Sequence, residues 1–199
     1  MIVEVIDNFL DENECKAIHK EMKKQKWQFY HGSEPQYIVE NRVNSWSVTT
    51  LSNASSKLAK AIVNTFGEKY SLSRDAGDQS FYMNAHTFGV EPEAHIDNGY
   101  NFSCIYYPNM DWKLRWGGGT VVYNEDLTDV EKYVAYKSNR LLLFESFRMH
   151  QAMPVTRKCN ELRTCIVMKF RKDKSQPDRI NYGEKRGERS ILHSKWYED

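Results

Sequence analysis

The stretch EPEAHIDNGYNFSCIYY, residues 91–107, places a His-x-Asp pair, His95 and Asp97, just ahead of a strand-like run, NFSCIYY. In extended backbone, residues two apart point to the same side, so an imidazole and a carboxylate can face one point. Alone, the pair says little. With six histidines and 27 acidic residues in 199 positions, about 0.8 such pairs arise by chance, and a lone strand-end histidine is ordinarily a satisfied polar group. The surrounding text has to decide. From about residue 79, QSFYMNAHTFG, NFSCIYY, GGTVVYN, KYVAYK, RLLLFES and LRTCIVMKFR are short β-prone segments separated by Gly, Pro, Asn and Asp. That rhythm predicts an all-β sandwich or barrel.

The region before it reads differently. Residues 2–6 (IVEVI) predict a strand, and Asp11 predicts the start of a helix through DENECKAIHKEMKKQ, acidic in its first turn and lysine-rich toward its end. Residues 37–51 alternate like a strand. NASSKLAKAIVNTFGEKY predicts a second helix with Leu58, Ile62 and Phe66 on one face and Gly67 as its stop. The expected plan is one domain over 1–199: α/β support over 1–78, a β core over 79–170, and a charged surface tail over 171–199 pinned by Ile191, Leu192 and Trp196. No internal repeat interrupts it.

Composition narrows the function. Lys and Arg number 28 against 27 acids, a net charge of +1, which argues against a chain built to coat nucleic acid or an anionic membrane. Cys15, Cys104, Cys159 and Cys165 show no paired spacing and read as reduced thiols. The start MIVEVIDNFLDENE lacks a signal-peptide pattern, and no apolar run approaches membrane-span length. A cytoplasmic location is therefore expected.

Further residues turn the His-x-Asp pair into a constellation. After a Gly triplet in PNMDWKLRWGGGTVVYNE, the apolar SNRLLLFESFRMHQAMPVT reads as a strand ending in His150, and NELRTCIVMKF places Arg163 inside another apolar strand. A buried arginine is costly unless paired. Two imidazoles and one carboxylate with open positions form the facial triad of non-haem Fe(II) oxygenases. An always-charged guanidinium suits the distal carboxylate of a dicarboxylic acid.

HIDN, CIYYPNMDW, GGGTVVY, RLLLFES…MHQAMPVT and LRTCIVMKF, in that order, resemble the 2-oxoglutarate- and Fe(II)-dependent dioxygenases, specifically the prolyl 4-hydroxylase branch and its hypoxia-type enzymes. VIDNFLDENEC resembles that superfamily's opening segment. The resemblance is good from about 80 to 171 and thinner before it. It implies a mainly β fold with flanking α, a double-stranded β-helix (jelly roll) supported by the N-terminal helices. It implies His95, Asp97 and His150 as Fe(II) ligands, Arg163 as the partner of the 2-oxoglutarate 5-carboxylate, and Tyr107 as a hydroxyl supporting that carboxylate, with Tyr107 rather than Tyr106 facing in. The implied reaction consumes O2, converts 2-oxoglutarate to succinate and CO2, and hydroxylates an unactivated C–H of a small peptide or protein, foremost at proline. Ascorbate is the expected reductant.

Two positions depart from the family. His86 stands where a tyrosine is usual and would contact the co-substrate rather than the metal. Lys169, six residues beyond Arg163, replaces a bulky aromatic and implies a different substrate rim. Residues 30–40, 71–79 and 109–118 are the expected substrate loops, with Trp112, Arg115 and Trp116 as either a lid or loop packing. The Arg163/Lys169 pair also weakly echoes nucleic-acid demethylases of the same fold, and a non-catalytic jelly-roll binding protein is the remaining alternative.

Overall fold

The computed structural model describes residues 2–30, 45–48 and 53–173. The remainder of the expected 37–51 strand, most of the 30–40 loop, and the tail beyond 173 with Ile191, Leu192 and Trp196 lie outside the described residues. Among the described residues ten strands run β1 (Val3–Ile6), β2 (Gln28–Tyr30), β3 (Ser45–Val48), β4 (Gln79–His86), β5 (Phe102–Tyr107), β6 (Thr120–Tyr123), β7 (Val130–Val134), β8 (Arg140–Glu145), β9 (His150–Ala152) and β10 (Arg163–Phe170). The helices are α1 (Glu12–Met22) and α2 (Asn53–Tyr70). A seven-stranded antiparallel sheet in the order β1-β8-β5-β10-β4-β3-β2 faces a three-stranded sheet, β7-β6-β9. This is the jelly roll, mostly β with two helices.

Period-2 alternation explains the layering. Phe102, Cys104 and Tyr106 of β5, Leu141 and Leu143 of β8, and Ile166, Met168 and Phe170 of β10 form the outer face of the large sheet. Against them pack Ile18 and Met22 of α1 and Leu58, Ile62 and Phe66 of α2. Each such side chain contributes roughly 1.5–3 kcal/mol on burial, which holds helices that would be marginal in isolation. The intervening residues, Ile105 and Tyr107, Leu142 and Phe144, Cys165 and Val167, face the interior of the roll together with Val134 and Tyr136. Residue for residue across β10 and β4, Arg163 pairs with His86, Cys165 with Asn84, Val167 with Tyr82 and Lys169 with Ser80. The inner face of β10 thus carries a cation at each end and apolar residues between.

Local punctuation departs from expectation in places. The Asp11 carboxylate caps α1 by accepting from the backbone N–H of Asn13 and Glu14, but the helix ends at Met22, short of the lysine-rich extension. Gly67 does not stop α2. Ser71, at φ 54°, supplies the left-handed residue, and the Leu72 N–H closes back on the Gly67 carbonyl at 3.0 Å. That geometry needs an αL residue after the helix, and Gly67 serves only as the carbonyl acceptor. The KYVAYK strand is shifted, with β7 ending at Val134 before Tyr136. The run ending in His150 is two strands in two sheets: β8 stops at Glu145, and β9 begins at His150. No helix among the described residues is long and apolar enough to cross a membrane.

Candidate metal and carboxylate site

His95 lies outside the named strands, in an isolated bridge with His150. Each backbone N–H of the pair donates to the other's carbonyl at 2.9 Å, which brings the ring centroids to 4.4 Å. The Nδ1 of His95 is 3.0 Å from the Glu93 carbonyl oxygen and that of His150 is 2.9 Å from the Arg148 carbonyl oxygen. A carbonyl only accepts, so both Nδ1 atoms carry the proton and both Nε2 lone pairs are left to coordinate. Those Nε2 atoms lie 3.9 Å and 3.7 Å from the two Asp97 oxygens. The ligand atoms of the three residues all fall within 4.8 Å of one another. Asp97 is not on a strand; its backbone N–H donates to the Ser146 carbonyl at 2.8 Å. Ser103 Oγ donates to Asp97 Oδ2 at 2.5 Å, and Lys169 Nζ is 2.6 Å from Oδ1.

Burial alone would raise the Asp97 pKa; the charges around it instead hold the carboxyl well below the usual range. His150 is itself pushed down to about 4, first by burial and then by His95. It is neutral at pH 7, so Lys169 supplies the lasting positive charge. Neutral imidazole lone pairs and a carboxylate converging on one point repel each other, and a divalent cation relieves that repulsion. Asp97 and His150 are buried, but the His95 side chain is 44% exposed, which marks the mouth of the site.

Arg163 occupies the closed end and is fully buried. Its Nε donates to the Gly118 carbonyl at 2.6 Å, its Nη1 faces His86 Nδ1 at 3.2 Å and Cys165 Sγ at 3.6 Å, and its plane lies 5.5 Å from the Tyr136 ring centroid. Among the described residues Nη2 has no hydrogen-bond partner. A buried charged donor left unmade costs about 1–3 kcal/mol or more, so this nitrogen is complementary to an acceptor such as a carboxylate. Because arginine can only donate, His86 accepts at Nδ1 and keeps its proton on Nε2. Burial, then Arg163, lowers its pKa to about 3. Tyr107 faces the interior and donates to Thr120 Oγ1 at 2.8 Å; burial pushes its pKa up to about 12, so it stays a neutral hydroxyl donor.

The Gly triplet has a steric reason here. Gly118 has φ 74°, and a Cβ on it would meet Arg163 Cδ at 3.0 Å; one on Gly119 would meet the Val134 carbonyl oxygen at 2.6 Å. Trp112 packs at 4.3 Å on Tyr136 and edge-on to Trp116 at 5.1 Å, with its Nε1 donating to the Gly117 carbonyl. The two tryptophans therefore pack the loop down beside the Arg163 end, and Arg115 is exposed.

The structure brings His95, Asp97 and His150 together at one point and His86 with Arg163 at another. It gives the Tyr107 hydroxyl to Thr120 and turns Lys169 inward onto Asp97. Sequence reading missed Ser103, Ser146, Thr120 and Tyr136. A serine at an inward position of the apolar β5 was a faint signal. Tyr136 offered none, because its partners Asn109 and Thr164 are 27 and 28 residues away.

Residues 80–171 match the family model of the 2OG-Fe(II) oxygenase superfamily. Among solved structures, a Trichoplax adhaerens prolyl hydroxylase in complex with a hypoxia inducible factor oxygen degradation domain peptide superposes with TM-score 0.67 at 18% identity, over 93% of this chain and 86% of that one. A Pseudomonas putida prolyl-4-hydroxylase gives 0.63 at 17% identity, over 85% and 92%. HygX from Streptomyces hygroscopicus, with nickel and 2-oxoglutarate bound, gives 0.61 at 10% identity, over 86% and 83%. No protein of curated function matches. Residues 80–171, which carry His86, His95, Asp97, Tyr107, His150, Arg163 and Lys169, are thus the part of the chain that matches the 2OG-Fe(II) oxygenase superfamily, in a chain that folds like prolyl hydroxylases.

Proposed function

We propose that this chain is a 2-oxoglutarate-dependent dioxygenase that hydroxylates an unactivated C–H of a peptide or protein, foremost at a prolyl residue. The observation that carries it is Arg163 Nη2. Among the described residues, a buried guanidinium nitrogen without an acceptor lies inside the same roll as a three-residue cluster able to hold a metal, a combination that suits a divalent metal and a dicarboxylate. In this reading His95, Asp97 and His150 hold Fe(II), with Ser103 fixing the Asp97 carboxylate. Arg163 receives the distal carboxylate of 2-oxoglutarate, with the Nε2–H of His86 as a further donor and Tyr107 as another once its hydroxyl turns from Thr120 Oγ1. The iron and 2-oxoglutarate, when bound, supply an oxidation in which O2 is consumed, succinate and CO2 are released and a hydroxyl is placed on the substrate; ascorbate is the expected reductant. The chain contributes orientation, neutral donors and a wall against water: Tyr136, Trp112 and Trp116 pack beside the Arg163 end, and the exposed edge of His95 gives a way in.

Proline as the target rests on the likeness to the prolyl hydroxylases, and no residue in the site identifies a pyrrolidine. The test is aerobic incubation with Fe(II), ascorbate, 2-oxoglutarate and a set of proline-containing peptides. The expected result is succinate formation together with one added oxygen atom on proline. Succinate without peptide oxidation would keep the oxygenase and remove proline. Turnover stimulated by methylated single-stranded DNA would instead support the demethylase reading.

A further inference from the structure

Lys169 stands where the proposed reaction needs no charge. It closes the inner face of β10 at the end opposite Arg163, with its side chain 15% exposed beside the mouth marked by His95. Its ammonium lies 5.0 Å from the Tyr82 ring centroid and 6.0 Å from that of Tyr100. The guanidinium of Arg171 lies 5.3 Å from the same Tyr100 ring. The rim is therefore basic and aromatic, and Asp97 is the ion-pair partner the structure gives Lys169.

That partner is a metal ligand in the reading above. A divalent ion takes over the Asp97 charge and removes the reason for the ammonium to stay on Oδ1. The charge balance sharpens the point. With the metal and both carboxylates of 2-oxoglutarate in place, Asp97 and Arg163 already bring the site to neutrality, and Lys169 is left as one surplus positive charge. A partly buried ammonium is costly without a counter-charge. Two tyrosine faces lessen that cost but supply no anion.

We propose, resting on the oxygenase reading, that Lys169 is the specificity-determining residue for substrate: metal binding releases it from Asp97, and it then recognises a carboxylate on the molecule to be hydroxylated. An acidic side chain beside the target in a peptide and the free carboxylate of a small acid share this chemistry. Tyr82 and Tyr100 hold the released ammonium at the mouth by their ring faces. The aromatic found here in the hypoxia-type enzymes would offer no such partner.

The test uses the full chain loaded with Mn(II) and 2-oxoglutarate without O2, so that binding is read without turnover. Isothermal titration measures matched proline peptides carrying Asp or Asn at each position from three before to three after the proline, alongside N-acetylproline and its amide. Wild type is expected to prefer the acid by about tenfold at one position, or as the free acid. Lys169→Gln should abolish that preference and Lys169→Glu should reverse it, while 2-oxoglutarate affinity stays within about twofold. The peptide arms and the N-acetylproline arm tell the two sources of the carboxylate apart. No acid preference anywhere, or one that survives Lys169→Gln, overturns the proposal. So does a large loss of 2-oxoglutarate affinity in Lys169→Gln, because Lys169 would then serve the co-substrate. A wild-type protein that takes up no 2-oxoglutarate would instead sink the oxygenase reading beneath it, a separate and recognisable outcome. Mn(II)-dependent thermal stabilisation of both variants verifies that they fold.

Discussion

Arg163 concentrates the energetics of the site in one side chain. Its Nε and Nη1 are held by Gly118 and His86, so Nη2 is the nitrogen left to receive a ligand. Removing one partner of a buried, hydrogen-bonded charge pair costs about 2–5 kcal/mol. Arg163→Gln is accordingly expected to weaken 2-oxoglutarate binding by roughly 30- to 5,000-fold in calorimetry while Mn(II) still binds. The histidines make a second residue-scale prediction. His150 and His86 are lowered to about 4 and about 3, so in the metal-free protein the unfolded chain takes up protons below about pH 6.5 that the native state refuses. Stability is therefore full above that pH and falls by about 1.4 kcal/mol per pH unit for each histidine as the pH drops toward 4. Asp97, also lowered, adds loss in the same direction at more acid pH. Denaturant midpoints at pH 7, 6 and 5 check this, and a flat profile would mean that the imidazoles are solvated.

At the scale of elements, the large sheet separates support from the candidate site, because its outer face meets the helices and its inner face carries Arg163 and Lys169. Ile62 is fully buried on the outer side. Ile62→Ala should cost about 2–5 kcal/mol in unfolding without changing the 2-oxoglutarate affinity of the folded protein. Gly118→Ala should do the reverse in emphasis. With φ at 74° and a Cβ 3.0 Å from Arg163 Cδ, it should lose about 1–3 kcal/mol and also weaken 2-oxoglutarate binding by displacing Arg163. Calorimetry beside chemical denaturation separates the two kinds of loss. The elements also show what sequence can reveal. Leu58, Ile62 and Phe66 were legible because a helical face repeats within one segment. The β8–β9 break was not, because Phe147 and Met149 keep apolar residues alternating past Glu145 in LLLFESFRMH, and hydrophobicity does not record a change of sheet. The end of α2 was misplaced because the αL position fell on Ser71, a weaker marker than glycine.

At the scale of the molecule, the roll brings together the proposed ligands from three separate segments, and only their chemistry is local. The roles of His95, Asp97, His150 and Arg163 remain the proposal above, but that the first three come together was foreseeable because residue type, order and spacing carry the signal. The inward turn of Lys169 onto Asp97 and the gift of the Tyr107 hydroxyl to Thr120 were not, because both depend on how β10 and β6 sit across the cavity. Since the ligand set forms only on folding, metal should stabilise the whole chain. At a hundred times its dissociation constant, Mn(II) is expected to add about 2.7 kcal/mol, with the rise in Tm reversed by a chelator and absent in His150→Ala.

The central claim is that one cavity holds Fe(II) through His95, Asp97 and His150 and 2-oxoglutarate through Arg163. Anaerobic addition of Fe(II) and then 2-oxoglutarate should produce a visible metal-to-ligand charge-transfer band. That band should vanish in His95→Ala and need far more 2-oxoglutarate in Arg163→Ala. Wild-type protein that shows no band at saturating Fe(II) and 2-oxoglutarate would contradict the account and leave a jelly roll that binds without catalysing.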